Sequence, residues 1–183
     1  MNLRTPKQSV EKLQKSLHAK AKSEPGYRFY SLWDKICRED VLSVAYQHCR
    51  SNGGAAGADG ESFEDIETRG RDVWLGNLAQ ELRTGEYSPA PLRRVWIPKS
   101  NGGQRPLGIP RIRDRVVQMA ALLVVGPIFE ADLLDEQYAF REGLDAKMAA
   151  RRVYFRLRGG WTEVVDGDLR DYFTTIRVNP KVS

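Results

Sequence analysis

Apolar residues near the start of the chain recur at helical spacing. Val10, Leu13 and Leu17 fall three and four apart among charged neighbours, which predicts an amphipathic helix capped by Thr5 or Ser9 and running toward Ala21. Glu24-Pro25-Gly26 ends it. A second helix is expected over residues 29–49, where Leu32, Trp33, Ile36, Val41, Leu42, Val44 and Ala45 make one broad apolar face suited to a core. Residues 51–60 hold four glycines and no large side chain, and read as a loop. Residues 63–82 predict one more helix with a break at Gly70, ending near Thr84-Gly85.

After Pro89 the period changes. Residues 92–97 are partly β-branched and aromatic, Pro98 closes the run, and Asn101-Gly102-Gly103 is a strong turn signal before a second short run over residues 105–109. Together they predict a β-hairpin with a basic tip. Residues 116–125 read as an apolar helix broken or kinked at Gly126-Pro127, and Asp145 can cap another helix from Ala146 toward Leu157. Gly159-Gly160 stops that helix, and residues 161–169 read as a strand. The expected class is α+β, mostly helical, with one antiparallel hairpin and a strand near the C-terminus.

A chain of 183 residues with 41% hydrophobic content can bury one core. The net charge of +5 leaves two readings open, a polyanionic partner or simply a basic soluble protein. Its distribution changes the picture. Residues 90–115 contain Arg93, Arg94, Lys99, Arg105, Arg111, Arg113 and Arg115 against the single acid Asp114. Residues 1–28 form a second basic cluster, whereas residues 116–140 have four acids and no Lys or Arg.

Cys37 and Cys49, read as lying on one helix, would stand about 18 Å apart along its axis and could not pair without breaking it. No His joins them at metal-ligand spacing, so two packed thiols in a reducing compartment are expected. The N-terminus has no apolar leader, and the longest apolar run, residues 119–125, is far short of the ~20 residues that span a bilayer. A soluble, cytoplasmic protein with no membrane partner is the expectation.

Lys99 and Arg105 flank the glycine-rich turn and can grip phosphate oxygens, the Arg in bidentate fashion. For an isolated stretch of this kind an ordinary solvated hairpin is the favoured reading. The three arginines that follow at once, Arg111, Arg113 and Arg115, stand at the entry of an apolar helix that could hold them against a nucleic-acid backbone.

The run Ile97-Pro98-Lys99-Ser100-Asn101-Gly102-Gly103-Gln104-Arg105-Pro106-Leu107-Gly108-Ile109-Pro110, followed by Asp114-Arg115-Val116-Val117-Gln118, resembles the first sequence block of group II intron reverse transcriptases. Gly57-Ala58-Asp59-Gly60, Pro127-Ile128-Phe129-Glu130 and Tyr138-Ala139-Phe140-Arg141 resemble the neighbouring blocks, so the resemblance covers residues 32–176. It implies a mostly helical fingers subdomain over residues 29–158 after a basic N-terminal helix over residues 1–28. Residues 159–183 would begin a truncated reverse-transcriptase palm. Lys99 and Arg105 would hold the triphosphate of an incoming dNTP, and Arg93, Arg94, Arg111, Arg115 and Arg141 would meet template RNA or primer DNA. Glu142-Gly143-Leu144-Asp145 departs from the family's usual Pro-Gly-Arg-Ser continuation.

Polymerases of this kind use two Mg2+ ions held by hard oxygen ligands. On its own, Asp166-Gly167-Asp168 at a strand end is as consistent with a surface turn as with a metal site. By the resemblance, Asp168 is the catalytic and metal-binding carboxylate, and Leu169 lends its backbone carbonyl to a metal. Asp171 and Tyr172 would turn backbone amides to the triphosphate, and Phe173 would be the aromatic gate against a ribose 2′-OH. The Asp-Asp pair that completes such a site is absent from the sequence. This polypeptide alone is therefore expected to lack polymerase activity. Three readings follow: a truncated reverse transcriptase, an RNA-binding module that assists splicing without catalysis, and a fragment that self-associates as a homodimer.

Overall fold

The structure, a computed structural model, describes residues 5–98, 100 and 102–169. It divides into two compact units, Met1–Leu133 and Leu134–Ser183. The fold is α+β and mostly helical, with one two-stranded antiparallel sheet. No described helix is long and apolar enough to cross a membrane.

Helix α1, Pro6–Ser23, starts where Thr5 and Gln8 form a reciprocal capping box. Pro6 fits at the first turn because its missing N–H has no helical partner there. The single helix expected over residues 29–49 is instead two, α2 (Trp33–Ile36) and α3 (Glu39–Ser51). Arg38 between them is extended, with φ −69° and ψ 137°. From that position its guanidinium clasps both oxygens of Asp40 at 2.9 and 2.6 Å and donates to Ser9 Oγ of α1 at 3.0 Å. A fresh helix start also puts Glu39 and Asp40 in the first turn of α3, where the helix dipole favours negative charge.

Ser62 and Asp65 form a second capping box that opens α4, Phe63–Arg69. Gly70, at φ 102°, breaks the chain as expected, and α5 follows over Arg71–Thr84. The hairpin is β1 (Arg93–Pro98) and β2 (Gln104–Ile109), paired so that Val95 faces Leu107 and Ile97 faces Arg105. Neither strand buries a residue.

Helix α6, Ile112–Glu130, continues through Gly126-Pro127, so the helix is not broken there. A proline removes the donor that the carbonyl four residues back would accept. Here that carbonyl belongs to Leu123, and the side-chain amide of Gln14 on α1 donates to it at 3.1 Å. The orphaned acceptor is thus satisfied from a neighbouring helix, and Pro127 lies close enough to the helix end that little remains to disrupt.

The core of this first unit forms where α3, α6 and α1 pack together, with α5 against α3. Val41, Leu42, Ala45, Val116, Ala120 and Val124 are fully or almost fully buried there. Each large apolar side chain so buried contributes roughly 1.5–3 kcal/mol. Tyr46 lies at 1% exposure and keeps its polar end satisfied by donating to Glu67 Oε1 at 3.0 Å. Both cysteines are free; Cys37 ends α2 and Cys49 lies in α3, and burial pushes both thiols up.

In the second unit, α7 spans Ala146–Arg158, capped by Asp145, whose Oδ1 accepts from the Met148 amide at 2.7 Å. It buries none of its residues. Glu136 receives Arg152 at 3.0 Å and Arg156 at 3.4 Å, which ties the preceding turns to this helix. Residues 161–169, expected as a palm strand, carry no regular secondary structure. A strand is held by its ladder, and the only ladder among the described residues joins β1 to β2.

Candidate nucleic-acid interface

The sequence-predicted arginines fall into two groups. Arg93, Arg94 and Arg105 are exposed on the hairpin, and among the described residues none of them makes an ion pair. The register assigns them to faces. Arg93 stands opposite Ile109 and Arg105 opposite Ile97, so these two arginines share a face with Val95 and Leu107. They lie about 13 Å apart along the ribbon, four residues at the usual strand rise. Arg94 points to the other face with Trp96, opposite Gly108 and Pro106.

Arg111, Arg113 and Arg115 are only partly exposed, and all three engage the protein. Arg111 lies 3.5 Å from Asp59 in the glycine-rich loop. Arg113 pairs with Glu81 of α5 and its guanidinium sits over the Tyr87 ring. Arg115 donates to the carbonyls of Ala55 at 2.9 Å, Ala56 at 3.4 Å and Pro110 at 3.3 Å. Gly57 makes the loop's close approach possible, since a Cβ there would stand 3.0 Å from Ile112 N and 3.1 Å from Arg111 Cα.

Two members of this site were not singled out from sequence. Asp114, 3% exposed, accepts from the Tyr87 hydroxyl at 2.6 Å and from the Ala90 amide at 3.3 Å. Burial, reinforced by this bond to Asp114, pushes the Tyr87 hydroxyl well above its ordinary range. The available signal was a lone acid within a basic stretch, at the opening of an apolar helix.

Arg141, in the second unit, donates to the carbonyls of Leu134 and Gln137, each at 2.8 Å, and so knits its own turn. Asp166, Asp168 and Leu169 are exposed. Lys99, Asp171, Tyr172 and Phe173 lie outside the described residues. Among the described residues no three His, Cys, Asp or Glu side chains gather as a metal site would require. Asp168 alone does not make a two-ion magnesium centre.

No family model matches the chain. It is 39% identical over 175 residues to Protein YkfC of Escherichia coli (strain K12), an alignment covering 91% of this chain and 45% of that protein. It is 33% identical over 156 residues to the group II intron-encoded protein LtrA of Lactococcus lactis subsp. cremoris, covering 81% of this chain and 24% of LtrA. The chain belongs to the group II intron-encoded protein family. A COX1/OXI3 intron 1 protein of Saccharomyces cerevisiae is a further relative of this intron-encoded family, 31% identical over 137 residues, 75% of this chain and 16% of that protein. The chain thus spans less than half the length of these intron-encoded and related proteins.

Proposed function

We propose that this chain is the RNA-engaging, hairpin-bearing part of a group II intron-type reverse transcriptase or maturase. The observation that carries the reading is the pair Arg93 and Arg105, exposed on one face of a ribbon whose strands bury no residue. Cations presented this way suit the phosphates of structured RNA, to which an arginine donates in bidentate fashion. In a longer protein of the same family, Lys99 and Arg105 would turn to a dNTP triphosphate, Asp168 would supply one carboxylate to Mg2+, and Phe173 would gate the sugar. This chain would bind RNA without polymerising.

Binding of a structured RNA across a salt series tests the reading. Each lost phosphate contact lowers the steepness of log K against log salt by about 0.7–0.9. Arg93→Ala with Arg105→Ala should weaken binding and flatten the salt dependence by about two contacts on that scale. Arg94→Ala, on the opposite face, should change both less. Absence of binding above background by the unaltered chain would sink the proposal.

A further inference from the structure

Neither strand of the hairpin buries a residue, yet both of its ends are fastened to one turn of α6. A two-stranded ribbon is marginal by itself in water, so its aim must come from its attachments. On the entry side, Asp114 accepts from the Tyr87 hydroxyl and the Ala90 amide, three residues before β1 begins. On the exit side, the next residue, Arg115, donates to the carbonyl of Pro110, the residue that follows β2. The same guanidinium reaches the carbonyls of Ala55 and Ala56 and so gathers the glycine-rich loop to the foot of the hairpin.

We infer that Asp114 and Arg115 are positioning residues that mount the hairpin and the glycine-rich loop on α6, and that Arg115 serves RNA binding through this mount and not by touching phosphate. The inference rests on the reading of the hairpin as the RNA-binding element. Three of the five N–H groups of Arg115 already donate to carbonyls, so its guanidinium is committed first to the loop and the exit strand, and any phosphate would meet only the two that remain. Arg115 is moreover only partly exposed, whereas Arg93, Arg94 and Arg105 face open solvent. Gly57 provides an independent handle on the same mount. A methyl group there would press on the Asp59 carboxylate and on the backbone of Arg111 and Ile112, and so lift the loop without adding or removing a charge.

The test compares Arg115→Ala, Gly57→Ala and Arg105→Ala in the full chain. Structured RNA is titrated across a salt series, and amide hydrogen exchange is followed over residues 53–60 and at the two ends of the hairpin. Arg115→Ala and Gly57→Ala are expected to lose exchange protection at those amides. They should bind RNA about tenfold more weakly with unchanged salt dependence, the drop that follows when only one molecule in ten holds the competent arrangement. Arg105→Ala should keep the protection and flatten the salt dependence by about 0.7–0.9, the value of one phosphate. The inference is overturned if Arg115→Ala leaves protection intact and flattens the salt dependence as Arg105→Ala does, or if Gly57→Ala behaves as the unaltered chain. Should Arg115→Ala fail to fold, Gly57→Ala decides alone. If the unaltered chain binds no RNA, the functional reading falls, while the exchange data still decide whether the mount exists.

Discussion

Leu123 lacks the helical donor that Pro127 cannot supply, and Gln14 donates in its place. Replacing Gln14 with Leu should leave that partly buried carbonyl without its protein donor and destabilise the chain by about 1 kcal/mol, read as a lower denaturation midpoint. The periodicity of α1 could not show this, because position 14 lies among polar residues and its acceptor is 109 residues away. Arg111 and Arg115 pose the same difficulty. A count of charges cannot distinguish an arginine facing water from one facing carbonyls, so Arg93 and Arg115 looked alike in sequence. Tyr46 carries a pH dependence of its own. Its burial, with the bond to Glu67 next in weight, pushes its hydroxyl up to about 12 from an ordinary 10.0. The folded state therefore holds the proton more tightly than the unfolded one. The resulting stability is fully present below pH 10 and fades as pH rises toward 12. Thermal melts should fall across that window, and Tyr46→Phe should make the fall shallower, although Tyr87 adds a similar contribution.

Among the elements, those announced by backbone chemistry were the legible ones. The turn Asn101-Gly102-Gly103 marked the hairpin, Gly70 marked the break between α4 and α5, and Thr5 and Asp145 marked helix starts. Ser62 belongs with these, and Ser62→Ala should cost about 1 kcal/mol by removing a cap, a loss measurable in denaturant titration. The break between α2 and α3 was not legible because the apolar spacing of residues 29–49 passes through it unaltered. The extended Arg38 that separates α2 from α3 is held by its neighbour Asp40 and by Ser9 of α1, and the second of these contacts is one no local pattern reports. The missing strand over residues 161–169 has a different cause. Its residues have strand-forming character, but strand geometry is a property of a pair, and no partner lies among the described residues.

At the scale of the whole molecule, stability is unevenly spread. The core helices α3 and α6 bury side chains completely, whereas α7 buries none. Local opening costs least where apolar burial is least. Amides of α7 should therefore exchange with solvent much faster than those of α3 and α6, and equal protection across the three helices would contradict this picture. Composition made the helical body legible and placed positive charge around the hairpin, but it did not reveal that one turn of α6 holds both hairpin ends. That arrangement makes the hairpin a lever. Its strands extend about 20 Å, six residues at the usual rise, from feet about 5 Å apart. With that ratio, a slip of about 1 Å at one foot swings the tip by about 4 Å, which is more than the reach of a hydrogen bond. Small losses of fit at Ala90 or Pro110 would thus be magnified at the far end of the ribbon, beside Arg105.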